Sequence, residues 1–149
     1  MKRALAALFL AGCAHGDLRQ VSLLVSPDVM TDDLAHFADA QVLRSGLVLE
    51  LHRGGYCLDR AGDFEAMLQL RTETAGGDLR VFLTLDTARG ARVDEVEHTW
   101  RTTRLPSTPA QAAGLLRPLL RELAQSQAAR DMASDLAGCD TRMAGAETR

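Results

Sequence analysis

Residues 64–100 read FEAMLQLRTETAGGDLRVFLTLDTARGARVDEVEHTW. Phe64, Ala66, Leu68 and Leu70 alternate with Glu65, Met67, Gln69 and Arg71, which puts the two sets on opposite faces of a pleated strand. Leu79, Val81, Leu83 and Leu85 alternate in the same way with Arg80, Phe82 and Thr84, the mark of a half-buried strand. Gly76-Gly77-Asp78 supplies the turn between them, and the stretch from Asp86 to Gly90 supplies the next. A third strand, Val93 to Arg101, carries Val96, His98 and Trp100 on one face. Connections this short join antiparallel neighbours, so the centre of the fold is predicted to be a three-stranded meander.

Toward the carboxy terminus, Thr108-Pro109 is a helix start, with a capping hydroxyl followed by Pro at the first helical position. Leu115, Leu116, Leu119, Leu120 and Leu123 form an apolar stripe on that helix. Pro118 falls inside it, where a missing hydrogen bond costs about 3 kcal/mol unless a kink absorbs it. Residues 134–149 are small and polar and are expected to form a flexible tail.

Toward the amino terminus, Val21, Leu23 and Val25 suggest a strand ending at Ser26-Pro27. Thr31-Asp32-Asp33 suggests a helix start, followed at helical spacing by Leu34, Phe37, Ala38, Gln41 and Val42 and ended by Ser45-Gly46. Leu47, Leu49 and Leu51 then alternate with Val48, Glu50 and His52, which predicts a second strand closed by Gly54-Gly55. The expected fold is α/β (α+β), one sheet of about five strands with two main helices packed on one face. The body is expected to be one domain over residues 20–133.

The first thirteen residues carry a different message. Lys2-Arg3 precedes an apolar run from Ala4 to Ala11, which is a secretory signal in form and too short to span a bilayer. Leu10-Ala11-Gly12-Cys13 resembles the bacterial lipobox, a Leu and two small residues before a Cys. That resemblance implies cleavage after Gly12, lipidation of Cys13, and residues 13–19 as a membrane-proximal tether. Two or more acyl chains give stable attachment where one is marginal, since each buried methylene contributes about 0.8 kcal/mol. Ala14-His15 lacks the Asp that often retains such proteins in the inner membrane, so the resemblance implies the outer membrane, facing the periplasm, as the address.

Two cysteines remain, Cys57 and Cys139. In an oxidising compartment an even pair predicts a disulfide. Closing a loop of about 80 residues would contribute roughly 4 to 5 kcal/mol in the chain-entropy account. No Cys-x-x-Cys is present, so redox and zinc chemistry have little support.

Composition excludes some partners. The formal charge of the 149-residue chain is −3, and removing Lys2 and Arg3 with the signal leaves −5 (−3 minus 2). An acidic body is a poor match for nucleic acid, whose binding depends on neutralising phosphates. The chain lacks Ile and Asn and has no Lys beyond Lys2, the pattern of a GC-rich genome. Its many arginines therefore do not by themselves point to an anion site.

The order from Phe64 to Leu123 is similar to a small periplasmic domain family that includes the amino-terminal part of TolB, the curli-export lipoprotein CsgG and related envelope lipoproteins. The residues behind the resemblance are the two amphipathic strands, the turn Asp86-Thr87-Ala88-Arg89-Gly90, the strand with Trp100 and the Leu-rich helix. The glycines of the stretch Arg53 to Gly62 depart from it, because more helix is expected there. The resemblance implies a non-enzymatic envelope protein that works through protein–protein contact with partners the sequence does not name.

Candidate chemistry is thin. Asp32, Asp33 and His36 have helical spacing for metal ligands, but an acidic first turn is what the helix dipole alone favours. Glu97 and His98 would point to opposite faces of a strand, and Glu50 and His52 are explained by a cross-strand ion pair. No His-Glu-x-x-His, Gly-x-Ser-x-Gly or phosphate-cradling Gly loop occurs. The sequence predicts no enzyme, no cofactor and no metal. An apolar or small ligand held between sheet and helices is the alternative to the accessory-factor reading.

Overall fold

The computed structural model describes residues 16–32, 37–59, 62–101 and 106–137. A 3-10 turn, Leu18–Gln20, leads into strand β1 (Leu23–Val25) and a two-residue strand β2 (Met30–Thr31). Helix α1 (Phe37–Arg53) follows, then β3 (Ala66–Ala75), β4 (Asp78–Thr87) and β5 (Arg92–Trp100). Helices α2 (Pro109–Gln125) and α3 (Gln127–Ala137) complete the described chain.

The meander is the centre of the sheet, whose order is β1-β3-β4-β5, with β2 also paired to β3. β3 and β4 are antiparallel with Ala75 opposite Asp78, so Gly76 and Gly77 alone make the turn. Both have positive φ, 59° and 87°, the two left-handed residues a tight hairpin requires and side chains resist. β1 and β2 run parallel to β3, with Leu23 opposite Ala66 and Met30 opposite Arg71. Parallel neighbours need a long crossover, and α1 lies within it.

The core lies between the sheet and the helices. Leu68 and Leu70 of β3 and Val81, Leu83 and Leu85 of β4 are buried there, as the alternation predicts. Leu116, Leu119, Leu120 and Leu123 of α2 meet them, whereas Leu115 points outward and is 40% exposed. The Thr108 hydroxyl accepts from the Gln111 amide 3.3 Å away, so the predicted cap forms. Pro118 sits inside α2 on its exposed side, and its i−4 residue Gly114 is exposed too, which leaves the freed carbonyl open to water.

The five-strand count holds, but one expected member is not a strand. Residues 47–52 belong to α1, which runs unbroken through Ser45-Gly46. Ala40, Leu43, Leu47 and Leu51 are all fully buried, at spacings of three, four and four residues, which make one helical stripe. That stripe reads equally as alternation over Leu47–Leu51, since a period of two and a period near four coincide there. Gly46 does not stop the helix; it lets α2 approach. A Cβ on Gly46 would stand 2.3 Å from the Ala112 Cβ. Thr31 lies in β2, so the helix does not begin there, and Asp33 and His36 lie outside the described residues.

Packing extends beyond residues 20–133 at both ends. Leu18 is 1% exposed, and α3 continues to Ala137 with Ala129 and Ala133 buried. The Gly16 amide donates to the Ser134 hydroxyl at 2.7 Å, tying the first described residue to that last helix.

β4 is buried on both faces. Phe82, on the face away from the helices, is 4% exposed because the Arg71 guanidinium covers its ring at 3.7 Å. Arg71 pairs with Glu73, and Arg80 pairs with Glu97 at 2.6 Å. Long salt-bridged side chains roof this face where a second helix layer would otherwise sit.

Candidate arginine-lined groove

A concavity of about 710 Å³ is lined by the 3-10 turn and by all three helices. Five arginines line it: Arg19 from the 3-10 turn, Arg53 from the last turn of α1, Arg117 and Arg121 from α2, and Arg130 from α3. Asp17 and Glu50 are its carboxylates. The formal balance is +3 (five minus two), on a chain whose total is −3.

Glu50 explains how part of the floor is built. It is 7% exposed and receives two hydrogen bonds from Arg117, at 2.7 and 3.3 Å. A buried carboxylate needs such a partner, and the bidentate fork supplies it while joining α1 to α2. The carboxylate in turn holds the Arg117 pKa above its usual value.

One wall is Tyr56, with Arg19 over its ring at 5.1 Å. Arg19 also donates to the Gly54 carbonyl at 2.7 Å and pairs with Asp17 at 3.3 Å. Burial pushes the Tyr56 phenol pKa up, and the Arg19 charge opposes that rise. Arg53 and Arg121 are exposed and have no acidic partner among the described residues. The Arg130 Nε is buried without a hydrogen-bond partner among those residues. The groove thus offers guanidinium donors that its own carboxylates do not consume, which is the chemistry of an anion seat.

Cys13 and Cys139 lie outside the described residues, while Cys57 is exposed and forms no disulfide with a described residue. Asp32 accepts from the Thr74 amide at 2.9 Å and from its hydroxyl at 3.2 Å, binding the end of β3. Glu97 and His98 do point to opposite faces: Glu97 reaches Arg80, while His98 lies 2.9 Å from Glu122 of α2. Glu50 and His52 are not a cross-strand pair; both lie on α1, where Glu50 takes Arg117 and His52 is exposed. Trp100 is half-buried against the core. Among the described residues no group of three His, Cys, Asp or Glu could hold a metal ion. No described helix is long and apolar enough to cross a membrane.

No family model matches the chain, and no curated protein sequence does. Solved structures with a similar chain course include lipoprotein GNA1162 from Neisseria meningitidis, at 14% identity and a TM-score of 0.46, covering 72% of this chain and 99% of that one. The PelC dodecamer from Paraburkholderia phytofirmans is similar at 19% identity and a TM-score of 0.48, covering 70% and 92%. The LpoB C-terminal domain from Salmonella enterica is similar at 11% identity and a TM-score of 0.39, covering 66% and 94%. No residue role passes from those proteins to this one.

Proposed function

We propose that this chain is a lipid-anchored envelope protein that acts by contact rather than by catalysis. The observation that carries the reading is the junction between Leu10-Ala11-Gly12-Cys13 and the folded body. Only Ala14 and His15 separate Cys13 from Gly16, which is clamped to α3 through Ser134. An acyl group on Cys13 would hold the domain close against its membrane, with little tether between them.

On this reading the anchor is in the outer membrane and faces the periplasm, and the domain serves as an accessory or assembly factor. Tethering raises the local concentration of the domain near membrane partners, so contacts too weak in solution become effective. In the same compartment Cys57 and Cys139 would form their disulfide. The second reading, a binding module for a small ligand, is favoured by the arginine-lined groove with its Tyr56 wall.

The deciding experiment is intact mass and fractionation of the full chain expressed in a bacterial host, beside Cys13→Ala. The expected result is wild type in the membrane fraction, cleaved before Cys13 and heavier by its acyl groups, with the variant unacylated. A soluble wild type that keeps Met1 would overturn the anchored reading.

A further inference from the structure

The groove and the anchor lie at the same end of the chain. Gly16 and Asp17 form part of the groove's lining, and Gly16 is three residues from Cys13. Three extended residues span at most about 11 Å. A groove this near an anchor meets the lipid surface before it meets anything soluble.

Its charges suit that surface. Arg117 is engaged by Glu50 and Arg19 by Asp17, but Arg53 and Arg121 reach the groove from separate helices with no carboxylate partner among the described residues. Two forked guanidinium groups lining one opening supply donors that suit the paired oxygens of a phosphate. Leu120, Ala124 and the Tyr56 ring supply apolar surface beside them, which a free inorganic anion does not use and a lipid glycerol does.

We propose that the groove seats the phosphate of an anionic phospholipid, so that the domain docks on the membrane as well as hanging from it. The membrane's presence rests on the anchored reading, but the groove's preference for anionic headgroups does not require acylation. The two therefore fail separately.

The test uses the full chain carrying Cys13→Ala, which removes the acyl site and keeps everything else. Co-sedimentation is measured with vesicles of phosphatidylcholine alone and of phosphatidylcholine mixed with phosphatidylglycerol. The same chain is then measured with Arg53→Gln/Arg121→Gln added, and with Arg89→Gln/Arg101→Gln as an equal charge change outside the groove. All four substituted positions are exposed, and circular dichroism checks that each variant is folded.

The expected result is stronger binding to the anionic vesicles, weakened about 30-fold by the groove pair, from about fivefold per arginine near a charged surface. The control pair should keep most of the preference. Soluble glycerol 3-phosphate at matched concentration should not displace the protein. Equal binding to both vesicles, equal loss in both variants, or full displacement by glycerol phosphate would each overturn the proposal. So would retention on an acidic peptide with no vesicle preference, which would make the groove a protein-binding site.

Discussion

Gly46 of α1 and Ala112 of α2 touch so closely that no atom fits between them: a Cβ on Gly46 would lie 2.3 Å from the Ala112 Cβ and 2.8 Å from the Ala113 amide nitrogen. Gly46→Ala should therefore destabilise, although Ala is favoured over Gly in a helix by about 1 kcal/mol. Overpacking costs typically 1–3 kcal/mol, and because the clash is partly with backbone the upper end applies, for a net loss of about 2 kcal/mol in urea or thermal unfolding. Adding Ala112→Gly should restore only part of it, because the Ala113 backbone still blocks the new methyl. A neutral or stabilising Gly46→Ala would mean the helices stand further apart.

Gly114, on the same pair of helices, should behave in the opposite way. A Cβ there meets nothing within 4 Å, and its φ is not in the left-handed region. Gly114→Ala should stabilise by about 0.5–1 kcal/mol through helix propensity and the loss of unfolded-state freedom. The sign difference between the two glycines, in one unfolding assay, is the check.

The segment 47–52 shows how far the sequence could be read. The meander was legible because alternation, two glycines and short loops all agree over more than thirty residues. Over Leu47–Leu51 alternation and helical spacing agree on Leu47 and Leu51 and differ on Leu49 and Glu50. The deciding information is Gly46 against Ala112, a contact with a residue far along the chain. If the segment is helical, Leu47→Ala and Leu51→Ala should each cost 2–5 kcal/mol, as both are fully buried. Leu49, only half-buried, should cost clearly less, about 1 kcal/mol. Equal losses at all three positions would favour a strand.

The groove was not legible at all. Its arginines are spread from Arg19 to Arg130, on four separate elements, and the abundance of Arg in this composition hides any local excess. Glu50 looked like a strand residue facing His52, so its role as the buried partner of Arg117 could not emerge. Likewise, the roof over Phe82 depends on cross-strand register, which fixes the neighbours of Arg71 and Arg80.

Tyr56 gives the groove its own reporter, since it is the chain's one tyrosine. Burial raises its pKa, so tyrosinate absorbance should appear at a pH above the ordinary value of about 10. Below the unfolded-state pKa nothing is lost, and stability falls as pH rises toward the folded-state value, because the unfolded chain releases its proton first. The Arg19 charge lowers this pKa, so Arg19→Gln should move the titration midpoint further up. A midpoint at or below 10 in the folded protein would mean that the ring stands in water.

Gly16 is clamped against α3. A Cβ on Gly16 would meet the Ser134 amide nitrogen at 2.2 Å and the Arg130 carbonyl oxygen at 2.6 Å. Both are backbone atoms of a helix, so they cannot turn aside. Gly16→Val should expel residues 16–20 from their seat rather than bend α3, because the short segment has fewer bonds to lose. Leu18 would leave the core with it, and hydrogen exchange should rise at the Gln20 and Val21 amides, which now bond to Asp17 and Leu18 carbonyls. The β3 and β4 amides should stay protected. Ser134→Ala removes only the hydroxyl that accepts from Gly16, and should cost about 1 kcal/mol with a smaller rise in exchange. In an acylated chain the released segment would lengthen the link beyond Ala14 and His15, so membrane-proximal contacts should weaken while anchoring itself persists. Unchanged exchange at Gln20 and Val21 in Gly16→Val would show that the amino-terminal segment is not held by α3.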